Sequence, residues 1–337
     1  MKSIKKIALI TSTSNFERHK NTVRAIHRNL KERGGYALYV FTCYGLFLEQ
    51  TPYDLGEGSI YNLLDEADFD GCIIEGNLGI KEMMEDIIAK LKMRNIPYVA
   101  LNFGLEDTPF VVIDGYDSAC QMTEHLIKEH HCTKINLVST TKNDNIVSDS
   151  IRGYGDTLRK HGIEVEERRI IFRTVSLQDG RKLLDDFKEA GVHDAEAVVC
   201  IHDVHSIGMC LEMQDRGYKM PDDLLVCSLN RSTNSVAFMP DISGVDRMDG
   251  KIADKACELL IDIMDGKEVP YENYSKGEIF FGRSCGCTNN QIEKSTKEFQ
   301  QLILAKIEMG TQIRQMMQYN DSLDEVDSLE GLLENLQ

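Results

Sequence analysis

The stretch VIDGYDSACQMTEHLIKEHHCTKINLV, residues 112–138, decides how the chain is read. An apolar run closes at Asp114, helical spacing holds from Asp117 to Glu129, and the apolar run Lys134–Ser139 follows a short polar break. Strand, helix and strand in immediate succession, with strands that are apolar throughout, mean a parallel sheet covered on both faces.

The same rhythm extends in both directions. Upstream, Ile7–Ile10 and Tyr36–Thr42 read as strands around a helix over Thr22–Arg33 that Gly34-Gly35 stops. A helix near Ile60–Ala67, the strand Gly71–Glu75, a helix near Ile80–Arg94 and the strand Pro97–Leu101 complete a first series. Downstream, helices over Ile151–His161, Gln178–Ala190, Val204–Arg216 and Met248–Met264 alternate with strands at Arg169–Arg173, Ala197–Ile201 and Leu224–Ser228, and the apolar stretch Glu278–Phe281 ends the globular part. At 337 residues this is too much for one sheet, so the expected fold class is α/β, with two doubly wound parallel-sheet lobes and ligands held at strand C-terminal ends.

After Cys287 the composition turns to Gln, Glu, Lys, Met and Leu, and residues 288–309 lack Gly and Pro. Leu302, Met309, Met316 and Leu323 recur every seventh residue, with Ile292, Phe299, Lys306, Ile313 and Asn320 in the companion positions, a coiled-coil seam. The alternative is a helix packed on its own globular body. New helical spacing over Ser322–Gln337 reads as the first helix of a further domain.

Composition narrows the function. Lys plus Arg number 38 against 55 Asp plus Glu, and a formal charge of −17 argues against direct nucleic-acid binding by this chain. No run of apolar residues is long enough for a membrane span or an export signal, so no membrane partner is expected. Cys43, Cys72, Cys120, Cys200, Cys210, Cys227 and Cys257 stand singly in apolar or helical surroundings, as free thiols do in a reducing cytoplasm. No Walker loop, nucleophile elbow or Cys-His constellation occurs, and no cofactor is expected. His130-His131-Cys132 reads as a helix-end turn because adjacent ligands point in different directions, and Cys285-Gly-Cys287 is closer than the usual two-residue spacer, so no metal site is expected and the pair reads as structural.

Polar residues directly after apolar strands, with Phe16 and Phe103 beside them and Arg152 at the start of a helix, form the candidate ligand set: Thr13, Asn15, Phe16, Asn77, Asn102 and Phe103 from the first series; Arg152, His202, Asp203, Asn230 and Arg247 from the second. Arg231 follows the same strand as Asn230. An enzyme reading would make Asp203 or His202 a general base, but no nucleophile accompanies it. A third reading is a dimerisation module that binds nothing.

Residues 4–285 resemble the periplasmic-binding-protein-like type I fold in the ligand-sensing form of lactose-repressor-type regulators. The resemblance rests on residues 112–138, on AVVCIHDVHSIG at 197–208, on RGYKMPDDLLV at 216–226, and on PDISGVDR at 240–247 as the second crossing between lobes. It implies one lobe from residues 1–113 with 247–270, a second from 114–246 with 271–287, and an interlobe cleft. A signalling helix over 288–320 and the start of a downstream domain at 321–337 follow. It implies a cytoplasmic sensor that binds a small polar molecule of the sugar kind, dimerises, and passes lobe closure along the C-terminal helix. The chain departs from the family pattern at His202, Asn230 and Ser150, where an Asn, an Asp and an Arg are usual. The first strand begins too near Met1 for a preceding helix-turn-helix, and the ending resembles sensors joined covalently to a GGDEF cyclase or an arabinose-regulator-type output.

Overall fold

The computed structural model describes residues 4–11, 17–43, 56–76, 81–105, 107–140 and 145–287, with Gln301, Ala305 and Met309. The chain divides into two compact units: the first runs to Val112 and resumes over Met248–Ser275, and the second holds Ile113–Arg247 and continues from Lys276. Within the described residues the chain therefore passes from one unit to the other three times.

The first unit is built on a six-stranded sheet ordered β11-β5-β4-β3-β1-β2. Its strands are β1 (Lys5–Thr11), β2 (Tyr36–Thr42), β3 (Gly71–Glu75), β4 (Tyr98–Leu101), β5 (Phe110–Ile113) and β11 (Glu272–Ser275). Pairings from β2 through β5 are parallel. All five residues of β3 are buried, as a central strand covered on both faces requires. Helices α1 (Glu17–Arg33) and α2 (Lys81–Met93) match the expected helices. The one near Ile60–Ala67 is instead mainly a 3-10 turn over Ser59–Glu66, with Tyr61 and Leu64 in the core beside Phe41, Phe69 and Ile87.

A late segment completes this lobe. Helix α8 (Asp249–Met264) lies against α1, where Arg28 and Asn29 donate to the Asp254 carboxylate at 3.0 and 2.9 Å. It also covers β3 so closely that a Cβ on Gly71 would stand 2.9 Å from Met264 Sδ. Residues 271–275 were expected in the second lobe, beyond a crossing at residue 270, and four of them form β11. It joins the first sheet instead, Phe110 N donating to Tyr271 O at 2.8 Å, and the return to the second unit falls after Ser275.

The second sheet is ordered β12-β10-β9-β8-β6-β7. It comprises β6 (Ile135–Ser139), β7 (Ile170–Phe172), β8 (Ala197–Cys200), β9 (Leu225–Ser228), β10 (Ser243–Asp246) and β12 (Glu278–Phe280), with only the β10–β12 pair antiparallel among the pairings β6 to β10 and β12. Helices α3 (Gly115–His130), α4 (Asn145–Lys160), α5 (Leu177–Glu189), α6 (Asp203–Asp215) and the short α7 (Thr233–Ala237) flank it. Asp114 caps α3 by accepting from Asp117 N, and the helix ends at left-handed His131, φ 57°. Two apolar clusters cover the sheet, one around Leu126, Tyr154 and Val199, the other around Leu183, Phe187 and Met209. Helices α5 and α6 meet through glycine, since a Cβ on Gly208 would lie 2.4 Å from Leu177 O. Of the proposed coiled-coil seam, only Met309 is among the described residues. It is helical and 59% exposed.

Candidate functional site

Parallel strands deliver their C-terminal ends to one sheet edge, so a polar residue ending each strand collects there. In the first lobe the register pairs Thr11 with Glu75 and Glu75 with Leu101. Thr11 Oγ1 donates to Glu75 Oε2 at 2.8 Å, His19 Nδ1 on α1 lies 2.9 Å from the same oxygen, and Asn102 Nδ2 approaches Glu75 Oε1 at 3.5 Å. Burial pushes the Glu75 carboxyl up. Its bond to His19 and the ring's charge, with contributions from Thr22 and Arg18, outweigh that and hold it below the ordinary carboxylate range. Asn102 follows β4 in the left-handed region, φ 68°, a conformation Asn tolerates better than most residues. Its Oδ1 is buried and has no hydrogen-bond partner among the described residues.

In the second lobe Asp203 opens α6 and is buried. Its Oδ1 accepts from Asn230 Nδ2 at 3.1 Å; its Oδ2 accepts from Ser232 N at 3.1 Å and from the Ser232 hydroxyl. The carboxylate thus organises the loop that leaves β9, and Ser232 in turn caps α7 through a capping box. Ser139, ending β6, is fully buried, and its Oγ has no partner among the described residues. His205, in the first turn of α6, donates from Nε2 to Thr174 O at 2.7 Å while Nδ1 is buried without a partner among the described residues. Burial pushes its pKa down, so it is held as the neutral ring.

The candidate residues fall into three groups. Asn102, His202, Asp203 and Asn230 stand at strand C-terminal ends, His202 preceding α6, and Arg247 lies partly buried just after β10. Phe103 packs on the first lobe's core, and Arg152 sits on α4 bonded to Asp149 at 2.7 Å with its guanidinium 4.7 Å above the Tyr116 ring. Thr13, Asn15, Phe16 and Asn77 lie outside the described residues. Arg231 stacks 4.2 Å above Phe280, its Nη1 4.0 Å from an Asp246 oxygen. Thr11, Glu75 and Ser139 at strand ends, with His19 on α1, are the polar residues that sequence reasoning missed. A lone acid closing the apolar run Gly71–Glu75 was the available signal.

Two doubly wound lobes on a chain that crosses between them three times within the described residues, each with buried polar groups at its strand ends, define a two-lobed small-molecule-binding module. The family described as periplasmic binding proteins and sugar binding domain of the LacI family matches residues 50–245, and the chain belongs to it. That family is one of ligand-binding proteins rather than enzymes. Catabolite control protein A of Staphylococcus xylosus is 27% identical over 219 residues, 64% of either chain, and the regulator GalR of Streptococcus thermophilus is 26% identical over 222 residues, 64% of this chain and 66% of its own. The chain thus spans just under two thirds of these relatives. The crystal structure of CcpA from Lactococcus lactis superposes with a TM-score of 0.69 at 22% identity, covering 83% of this chain and 98% of that one. No helix among the described residues is long and apolar enough to cross a membrane.

Proposed function

We propose that the chain is the cytoplasmic sensing module of a bacterial transcription or signalling regulator. It binds a small polar, sugar-like molecule between its lobes and passes their closure along the C-terminal helix. The observation that carries this reading is the pair of buried acceptor-capable atoms, Asn102 Oδ1 and Ser139 Oγ, that have no hydrogen-bond partner among the described residues and stand at strand C-terminal ends of the two sheets. Buried polar groups are ordinarily paired, and a polyhydroxylated ligand supplies hydrogen-bond donors for both. The family's sugar-binding members support the ligand class. Closure follows if the ligand bonds to both lobes only when they approach, because a ligand shifts an equilibrium only as far as it prefers one state.

Output lies with a homodimer and a covalently attached downstream domain of GGDEF or arabinose-regulator type. The −17 formal charge supports leaving nucleic-acid contact to that domain, and exposed Met309 supports a second copy of the helix as its cover. Calorimetry of the purified chain against mono- and disaccharides and their phosphates tests binding. At least one should bind, and Asn102→Gly, which keeps the backbone free to hold its turn, should weaken it. A panel without a binder, or affinity unchanged in Asn102→Gly and Ser139→Ala alike, refutes the site. Sedimentation of Met309→Glu with Met316→Glu tests the pairing, which those charges should weaken.

A further inference from the structure

Four side chains that no sugar-binding role uses meet at one end of the second lobe. His125 and His130 lie in the last turns of α3; Cys285 and Cys287 follow β12 through a 3-10 turn at Arg283–Cys285. Gly286, φ 83°, makes the sharp reversal that lets both thiols face the histidines. The two Nε2 atoms are 3.1 Å apart; Cys287 Sγ lies 3.4 Å from His130 Nε2 and 3.6 Å from His125 Nε2, and Cys285 Sγ lies 3.8 Å from His125 Nε2. All four ligand atoms fall within 4.8 Å of one another.

These separations match the edges of a metal tetrahedron. Zinc with bonds of about 2.3 Å to sulfur and about 2.0–2.1 Å to nitrogen sets N and S about 3.6 Å apart and two nitrogens about 3.3 Å apart. The set also has the supports that ligands need. His125 stacks on Phe281 with centroids 3.9 Å apart, fixing the ring plane, and the Ser243 hydroxyl donates to the wholly buried Cys285 sulfur at 2.9 Å. Adjacent His131 and Cys132 are not members, so the objection to three consecutive ligands does not apply.

We infer that His125, His130, Cys285 and Cys287 bind one tetrahedral divalent ion, zinc by its ligand set, which ties the end of α3 to the turn after β12. Four protein ligands leave no open position, so the ion is structural. Binding displaces the thiol protons and fixes the segment from which the chain continues toward residue 288.

The test uses the whole chain, tag-free and reduced. After dialysis against zinc and removal of excess, elemental analysis should find one equivalent per chain, and cobalt(II) in its place should give the thiolate charge-transfer and intense visible bands of a tetrahedral site. Cys287→Ser with His130→Gln, both at partly exposed positions, should lower zinc affinity by at least ~100-fold, the upper range for loss of mere outer-shell support. His131→Asn, which keeps the left-handed turn, should bind like the parent. Amide exchange over residues 125–132 and 283–287 should be faster in the metal-free parent. A reduced parent that takes up neither ion, or a double variant that binds as tightly as the parent, overturns the inference.

Discussion

Replacing Glu75 with Gln tests whether the strand-end network of the first lobe carries a buried charge. Gln keeps the shape, but Thr11 Oγ1 and His19 Nδ1, 2.8 and 2.9 Å from Oε2, each exchange a bond to an anion for at best a neutral one. At a difference of about 1 kcal/mol per bond, plus an unmatched amide donor, the loss is about 2–4 kcal/mol. For a unit of this size that lowers the melting temperature by about 4–16 °C. Because the folded pKa of Glu75 is depressed, its contribution is complete above the unfolded value of 4.5 and disappears as pH falls through the folded one. The gap between parent and variant should therefore be full at pH 7 and close under acid. The chain lacks tryptophan, so unfolding is best followed by far-ultraviolet circular dichroism, with amide exchange over β1 and β3 isolating the first lobe. Equal stability at pH 7, or a gap that widens as pH falls, would refute the charged network.

Other outcomes follow from the second lobe and its neighbours. Gly208→Ala puts a Cβ 2.4 Å from the Leu177 carbonyl and 2.9 Å from Gly180 Cα, backbone that cannot yield, and should cost about 1–3 kcal/mol in a urea melt. Gly250→Ala, which meets nothing within 4 Å in α8, should stabilise by about 0.4–1 kcal/mol. His205, its pKa lowered by burial, should make stability fall as pH drops below the unfolded value of 6.5 and leave it unaffected above; His205→Gln should flatten that slope between pH 7 and 5. Asp203→Asn should cost about 1–3 kcal/mol and speed amide exchange at 230–235, since Asn230 and Ser232 lose their shared carboxylate.

The central strands were legible because being buried on both faces makes them apolar without interruption, as Gly71–Glu75 and Ile135–Ser139 show. Strand β11 was not. Its Glu-Asn-Tyr-Ser sequence sits at a sheet edge, where half-exposure removes the apolar signature. The expected helix near Ile60 failed because a buried apolar stripe does not distinguish an α-helix from a 3-10 turn over so few residues. Position after a strand was enough to nominate Asn102, Asp203 and Asn230. It could not reveal that Glu75 meets His19 across 56 residues, or that Cys287 meets His130 across 157, because such encounters belong to the topology rather than to any local pattern.

That α8 is the cover of β3 sets an order of events on the ribosome. Residues before Val112 emerge first, yet Leu260 and Met264, which close over Gly71, emerge about 150 residues later. At roughly 5–20 residues per second, the nascent first sheet waits about 8–30 s with that surface bare. The second lobe is synthesised almost entirely within this interval. It can condense while its neighbour is still incomplete, and the exposed back of β3 is where a chaperone would find the unfinished chain.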